Sequence, residues 1–469
     1  MLFEPGQAPP SPALEVRWEL AHDEHFGRMV QSGLAPAPAA LAHSVHVELQ
    51  GLAPDRWYFY RFLLGDAISR TGRMRTLPAP DAPAQRLRLA YASCQRWEHG
   101  YYSAWRHMCD ENLDLVMFLG DYIYEYPGAG QAVRRGAGSW ASTLDGYRDR
   151  YALYKSDADL QAIHASCPWL ITWDDHEVQN DYAGINPGDS GPPAADFAAR
   201  RAAVYQAFYE HMPLSASALT RALSGLASGA EMRIYAQVSY GRLASLYTLD
   251  ARQYRDPQVC TRNGKSGAST VNPASCPAWN DPARSLLGQQ QEAWLEARLG
   301  ASAGRGGPWN VLGQQTLFGQ RDFRAGAGQT LWNDGWDGYT AARGRLTGAL
   351  QKSAAGTPVF LGGDVHENWV GHVKADYADP ASAAIGVEFC GTSISSRSAG
   401  NARLGEVLAE NPHFVFADSE RRGYGVADFS PKRLLTTLRV VSDVTRPDSG
   451  IETLASFSVE AGSVVVDRA

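Results

Sequence analysis

Residues 113–125 read LDLVMFLGDYIYE, an apolar run that ends in one glycine and then a carboxylate. A short, continuously apolar run bounded by turn signals suits a strand buried on both faces, as in the parallel sheets of α/β proteins. Three other runs end the same way: RLRLAYAS before Cys94, PWLITW before Asp174, Asp175 and His176, and TPVFLGG before Asp364 and His366. Helix-like stretches at 101–112 and 142–165 lie between the first three. The alternation continues through RLASLYTLD, WNVLGQQ and a helical pattern over 286–299. This grammar predicts an α/β domain. Ligands of open α/β sheets bind beyond the carboxyl ends of strands, so four strand ends are expected to deliver a thiol, acids and imidazoles to one small volume.

Upstream the period changes to two. HSVHVELQGL, RWYFYRFLL and SRTGRMRTL alternate apolar and polar positions between turn residues, which predicts a small N-terminal antiparallel β-sandwich. Leu52-Ala53-Pro54 followed by Trp57, Tyr58 and Tyr60 is similar to the turn and aromatic strand of fibronectin type III-like modules. The proline-rich LPAPDAPAQ then reads as a linker, giving an N-terminal unit over 1–80 and a catalytic unit over 81–469.

With 469 residues, 44% hydrophobic and 20% charged, the chain is too apolar for disorder and long enough for a large core. The net charge of −7 and the lack of a long basic run argue against a stable nucleic-acid partner. No apolar stretch approaches the ~18 residues that span a bilayer, so membrane insertion is not expected. The opening MLFEPGQAPPSP has no basic segment followed by an apolar one, so either the protein is cytosolic or an export signal has been removed. Of six cysteines, Cys260 and Cys276 flank a Gly/Ser/Asn-rich loop whose entropy a disulfide would limit, or else they are two loop thiols.

Several carboxylates at close range repel one another by several kcal/mol at low effective dielectric unless cations neutralise them. Thiolate and imidazole suit a transition metal, whereas carboxylates and an amide suit a hard cation, so a mixed two-metal centre is expected. Tyr124 lies three residues after Asp121, and in a tight loop both can reach one ion. Binding to a ferric ion would offset the ordinary phenol pKa near ~10, so Tyr124 favours Fe(III). Asp121 follows its strand most directly, and one carboxylate can bridge two ions. For Asp364 and His366 to reach metal together, Gly362-Gly363 must loosen the backbone. Cys94 alone equally suits a small buried apolar residue. In DDHEVQN the alternative is a helix start, with Asp174 capping and Glu177 in a capping box, and the choice of ligand between Asp174 and Asp175 stays open. His176 is a candidate proton donor to a leaving group or a phosphate contact; a neutral, orienting histidine fits equally well. Arg252 is expected to ion-pair with Asp250 rather than bind phosphate, and Arg134 and Arg135, in a Gly-rich loop, are candidates to gate substrate entry.

The blocks ASCQRWEHGYYSAW, FLGDYIYE, TWDDHEVQNDY, LDARQYRD and FLGGDVHENW, in this order, resemble the PhoD-like alkaline phosphatases, a branch of the calcineurin-like and purple-acid-phosphatase-like metallophosphoesterases. The resemblance implies a four-layer α/β/β/α core behind a β-sandwich. It implies hydrolysis of small-molecule or polymeric phosphomonoesters and phosphodiesters by metal-activated hydroxide. Cys94, Asp121, Tyr124 and His366 would hold Fe(III), with Asp121 bridging, and Asp174 or Asp175, Asn180 and Asp364 would hold calcium, one or two ions. The wider superfamily has Asn-His where Asp175-His176 stand and His-x-His in place of Asp364-Val365-His366; carboxylates here shift the second site toward hard cations. Calcium is scarce in cytosol and the family exports folded protein by the twin-arginine route, which implies a periplasmic or secreted enzyme. A Ser-centred phosphatase or arylsulfatase-like enzyme needs a nucleophilic Ser, Thr or modified Cys in a short recognisable context, and no such context surrounds these strand ends; a calcium-stiffened adhesive protein is the non-enzymatic alternative.

Overall fold

The computed structural model describes residues 13–128, 130–136, 138–218, 231–262, 266–304, 306–353 and 356–469. The opening twelve residues, on which the export-signal expectation rests, lie outside them.

The four apolar runs form parallel strands in two seven-stranded sheets. In the first sheet Leu87–Ala92 pairs in parallel with Leu115–Phe118, which pairs with Trp169–Ile171 at the edge. On its other side Leu87–Ala92 is antiparallel to Gly423–Phe429, followed by Arg433–Val441, Ile451–Glu460 and Asp467–Arg468. In the second sheet Ala244–Thr248, Trp309–Gly313, Thr357–Gly362 and Ala384–Cys390 run parallel, and antiparallel strands flank them.

Side-chain alternation along these strands builds the layers. Leu87, Leu89, Tyr91, Leu115 and Met117 face the second sheet, meeting Leu246, Val311, Val359 and Leu361 in one buried cluster. Ala90, Ala92, Val116 and Phe118 face the other way, under Trp105, Tyr147 and Phe208 from helices Ser103–Met108, Leu144–Lys155 and Phe197–His211. On the far side Leu312 and Phe360 meet Leu295 and Leu346 of helices Gln289–Ala303 and Thr340–Ser353. The result is α/β/β/α, with each fully buried large apolar side chain worth about 1.5–3 kcal/mol. Tyr91 fits between the sheets because its cross-strand partner is Gly425, where an added Cβ would lie 2.0 Å from the tyrosine ring.

The N-terminal unit is antiparallel, its hydrogen-bonded part a five-stranded sheet of Leu14–Ala21, Met29–Ala37, Trp57–Leu64, Ala67–Ile68 and Gly72–Arg75. HSVHVELQGL differs from expectation: 44–50 is not a strand. His46 instead bonds the Leu214 carbonyl and stacks on Tyr209, while Glu48 accepts from Ser215 and Ala216. Its polar positions thus contact residues 209–216 rather than a neighbouring strand. The helix expected over 142–165 is two helices, because Asp157 caps a second one, Ala158–Ser166, by accepting from the N–H groups of Asp159 and Leu160. Cys260 and Cys276 form a disulfide with Cα atoms 6.0 Å apart. No helix among the described residues is long and apolar enough to cross a membrane.

Candidate metal centre

The parallel strands end on one rim, and backbone bonds carry the pairing past them. Leu119 N–H donates to Ala92, Cys94 N–H to Gly120, Gln95 N–H to Asp121 and Gly363 N–H to Gln315. The chain then turns sharply. Cys94, Asp121, Asp364 and His366 all have positive φ, between 58° and 65°, a conformation that costs most residues roughly 1 kcal/mol or more. The expected loosening at Gly362-Gly363 is therefore found one step later, in Asp364 and His366 themselves; neither of those glycines has positive φ. Gly363 serves close approach instead, since a Cβ there would lie 2.3 Å from Ser93 Oγ. At Gly120, with φ +110°, a Cβ would lie 2.6 Å from the Asp174 backbone N.

These turns bring together residues from distant strand ends. One ligand atom each of Cys94, Asp121 and His366 lies within 4.8 Å of the others, and so do those of Asp121, Asp175 and His176. Tyr124 Oη lies 2.9 Å from Asp121 Oδ2 and 3.2 Å from His366 Nε2. A third group, Asp175, Asp181 and Asp334, shares Asp175 with the second. Asp121 thus belongs to two groups and Asp175 to two. Buried Asp121 Oδ1, Asp174 Oδ2 and Asp175 Oδ1 have no hydrogen-bond partner. A buried, unpartnered carboxylate oxygen is costly, so the donor set fits metal cations.

Asp174 and Asp364 stand outside these groups. Asp174 Oδ1 accepts from Arg252 Nε. Asp364 is pushed up to about 6, by burial first, against the opposing guanidinium of Arg252. Asn180 is placed by its backbone N–H, which donates to Glu125 Oε1 at 2.7 Å. Residues 175–180 form turns rather than a helix. Half of the capping box is nonetheless there, with Glu177 Oε2 accepting from Asp174 N–H at 2.8 Å. Glu177 also accepts from Asp121 N–H (3.1 Å) and Tyr122 N–H (2.6 Å), so one buried carboxylate ties two strand-end loops together.

Burial raises Asp121 well above the carboxylate range, reinforced by Asp175, Asp174 and Glu177 and opposed by His176. Burial likewise lifts the Cys94 thiol and the Tyr124 phenol. His366 is pushed down to about 3 by burial. Its Nδ1–H donates to the Arg397 carbonyl at 2.7 Å, which leaves the Nε2 lone pair facing Tyr124. For His176, burial acts downward, but Glu125, Asp121 and Asp175 outweigh it and raise the imidazole.

Sequence reasoning missed several participants. Glu125 Oε2 lies 2.8 Å from His176 Nδ1 and fixes that ring; its position in GDYIYE, four residues after Asp121, was the available signal. Arg252 corrects the expected pairing: Asp250 accepts only its backbone N–H, while the guanidinium reaches Asp174, Asp334 at 2.6 Å and Asp175 at 3.7 Å. The motif does not reveal Asp334, 82 residues downstream. Arg134, expected near the substrate entrance, pairs with Asp157 at 2.7 Å and covers the Trp97 ring at 3.7 Å. Arg135 is exposed.

Comparison with known proteins identifies the family. The family profile described as PhoD-like phosphatase matches residues 89–438, and that of the PhoD-like phosphatase N-terminal domain matches 4–78. Alkaline phosphatase D of Bacillus subtilis (strain 168) is 43% identical over 461 residues, covering 96% of this chain and 76% of that protein. A solved structure titled "Structure of PhoD" superposes with a TM-score of 0.89 at 42% identity, covering 98% of this chain and 86% of that one. With both sheets, the strand-end rim and nearly the full length accounted for, the chain belongs to the PhoD-like phosphatase family.

Proposed function

We propose that this alkaline phosphatase hydrolyses phosphomonoesters and phosphodiesters at a mixed iron–calcium centre. Cys94, Asp121, Tyr124 and His366 would hold Fe(III), with Asp121 also facing the second site. Asp175, Asn180 and Asp364 would hold calcium, one or two ions; Asp174, engaged by Arg252, is the weaker alternative to Asp175. The observation that carries this reading is the convergence of a thiol, a carboxylate and an imidazole from three strand ends within 4.8 Å. When bound, the cations would supply Lewis acidity and offset phosphoryl charge.

The chain's own residues do the rest. Glu125 accepts the Nδ1 proton of His176, so Nε2 is the atom that carries a proton toward the leaving alkoxide. The Tyr124 ring, 4.1 Å from the His176 ring, packs against it and restricts its rotation. Arg252 holds Asp174 and Asp334 in place as neighbouring acids. The same reading divides the chain near residue 80 and places the enzyme in the periplasm or outside the cell, which the Cys260–Cys276 disulfide favours.

The test combines elemental analysis of purified protein with rates on an aryl monoester and a bis-aryl diester. Iron and calcium with hydrolysis of both esters, lost on chelation, is the expected result. Full turnover in metal-stripped protein would overturn the reading.

A further inference from the structure

Tyr124 Oη has a third polar neighbour that the metal ligands do not explain. Ser396 Oγ lies 2.7 Å away, closer than Asp121 Oδ2 at 2.9 Å or His366 Nε2 at 3.2 Å. Ser396 is fully buried in the serine-rich segment GTSISSRS, whose Arg397 carbonyl already orients His366; the Ser396 hydroxyl itself has no role in the mechanism above. We propose that Ser396 is a positioning residue for the Tyr124 ligand, donating its hydroxyl hydrogen to the phenolate oxygen. The inference rests on reading Tyr124 as a ferric-ion ligand.

Elimination identifies the donor. A ligating phenolate has lost its proton and can only accept. Asp121 is a carboxylate in that state and has no hydrogen to give. His366 spends its Nδ1–H on the Arg397 carbonyl at 2.7 Å, so its Nε2 presents a lone pair. Of the three neighbours only Ser396 has a hydrogen that can turn toward Tyr124.

The competing acceptor for that hydrogen is the Cys94 carbonyl, 2.9 Å from Ser396 Oγ. That carbonyl also accepts backbone N–H groups from Ser396 at 3.2 Å and Ser395 at 3.4 Å, so it stays satisfied when the hydroxyl turns away. A hydrogen bond to an ionised oxygen is roughly twice as strong as one to a neutral carbonyl, so the phenolate captures the hydroxyl. Arg96 N–H donates to Ser396 Oγ at 3.1 Å and holds the oxygen in place during that rotation. The serine keeps its proton throughout; only its direction changes.

Donation to the phenolate withdraws electron density from the ligand oxygen and stabilises its filled orbital, which raises the energy of tyrosinate-to-iron charge transfer. In iron-loaded full-length protein, Ser396→Ala therefore moves the visible band to longer wavelength, by tens of nanometres, while Ser396→Thr, which keeps the hydroxyl, holds it in place. A second measurement needs no variant. Resonance Raman of the wild-type enzyme shows a phenolate C–O stretch that shifts between H2O and D2O, because its oxygen accepts an exchangeable hydrogen. An unmoved band in iron-retaining Ser396→Ala, or a stretch indifferent to D2O, overturns the inference and leaves the ferric tyrosinate standing. An iron-loaded wild type with no visible band overturns the Tyr124 ligand reading itself, and the inference with it.

Discussion

Asp121 concentrates the chemistry of the site in one side chain, with one oxygen against Tyr124, the other without a hydrogen-bond partner, and membership of two groups of potential ligands. Asp121→Asn is expected to cost both metals and at least about a hundredfold in kcat/KM; elemental analysis and turnover check it, and metal retention at full rate would remove the bridging role. Glu125 must accept from two donors, His176 Nδ1–H and Asn180 N–H. A glutamine has only one carbonyl oxygen for them. Glu125→Gln should lower kcat on an alkyl phosphate by about ten- to a hundredfold and less on a nitrophenyl ester, with His176→Ala following the same leaving-group trend. Equal losses on both esters would argue against proton donation. At this scale the sequence revealed the residues that end strands, because an apolar run followed by Cys, Asp or His is a local pattern. Glu125, Asp334 and Ser396 act through partners 51, 82 and 272 residues away, and no local pattern encodes such distances.

Strand-end loops are held by contact as well as by dihedral preference, and Gly120 shows both. Its φ of +110° strains any L-residue, and a Cβ there would collide with the backbone of Asp174. Gly120→Ala should lower stability by about 1–3 kcal/mol, seen as a lower denaturant midpoint, and reduce activity with it. An alanine variant of wild-type stability would show that the loop relaxes freely. The parallel strands were legible as continuous apolar runs, and the helix over Gln289–Ala303 was legible from its periodicity. The 44–50 segment was not, because its polar positions His46 and Glu48 bond and stack on Tyr209, Leu214, Ser215 and Ala216, more than 160 residues away, where period-two alternation suggested a neighbouring strand. The double helix at 144–166 escaped because Asp157 ends one apolar stripe and caps the next within two residues.

For the whole molecule, the four-layer plan depends on pairings that span the chain, such as Gly425 beside Tyr91, and these lie beyond any window of local reading. The disulfide closes a short segment, its cysteines 16 positions apart in sequence, and none of the three ligand groups includes them. Replacing both cysteines by serine should cost up to about 3 kcal/mol in unfolding free energy while turnover persists at permissive temperature; an unchanged melting point would mean the loop is ordered without it. The left-handed turns at Cys94, Asp121, Asp364 and His366 reach further than geometry. Four side chains anchored in tense backbone behave like the jaws of a clasp: whatever they grip also keeps the jaws closed. Stripping the cations with chelator should therefore speed amide exchange at 93–96, 120–123 and 363–367 well before the sheets respond, and restoring them should silence it. Cofactor retention and folding of the rim would then be one equilibrium, and the enzyme would lose its shape first where it does its work.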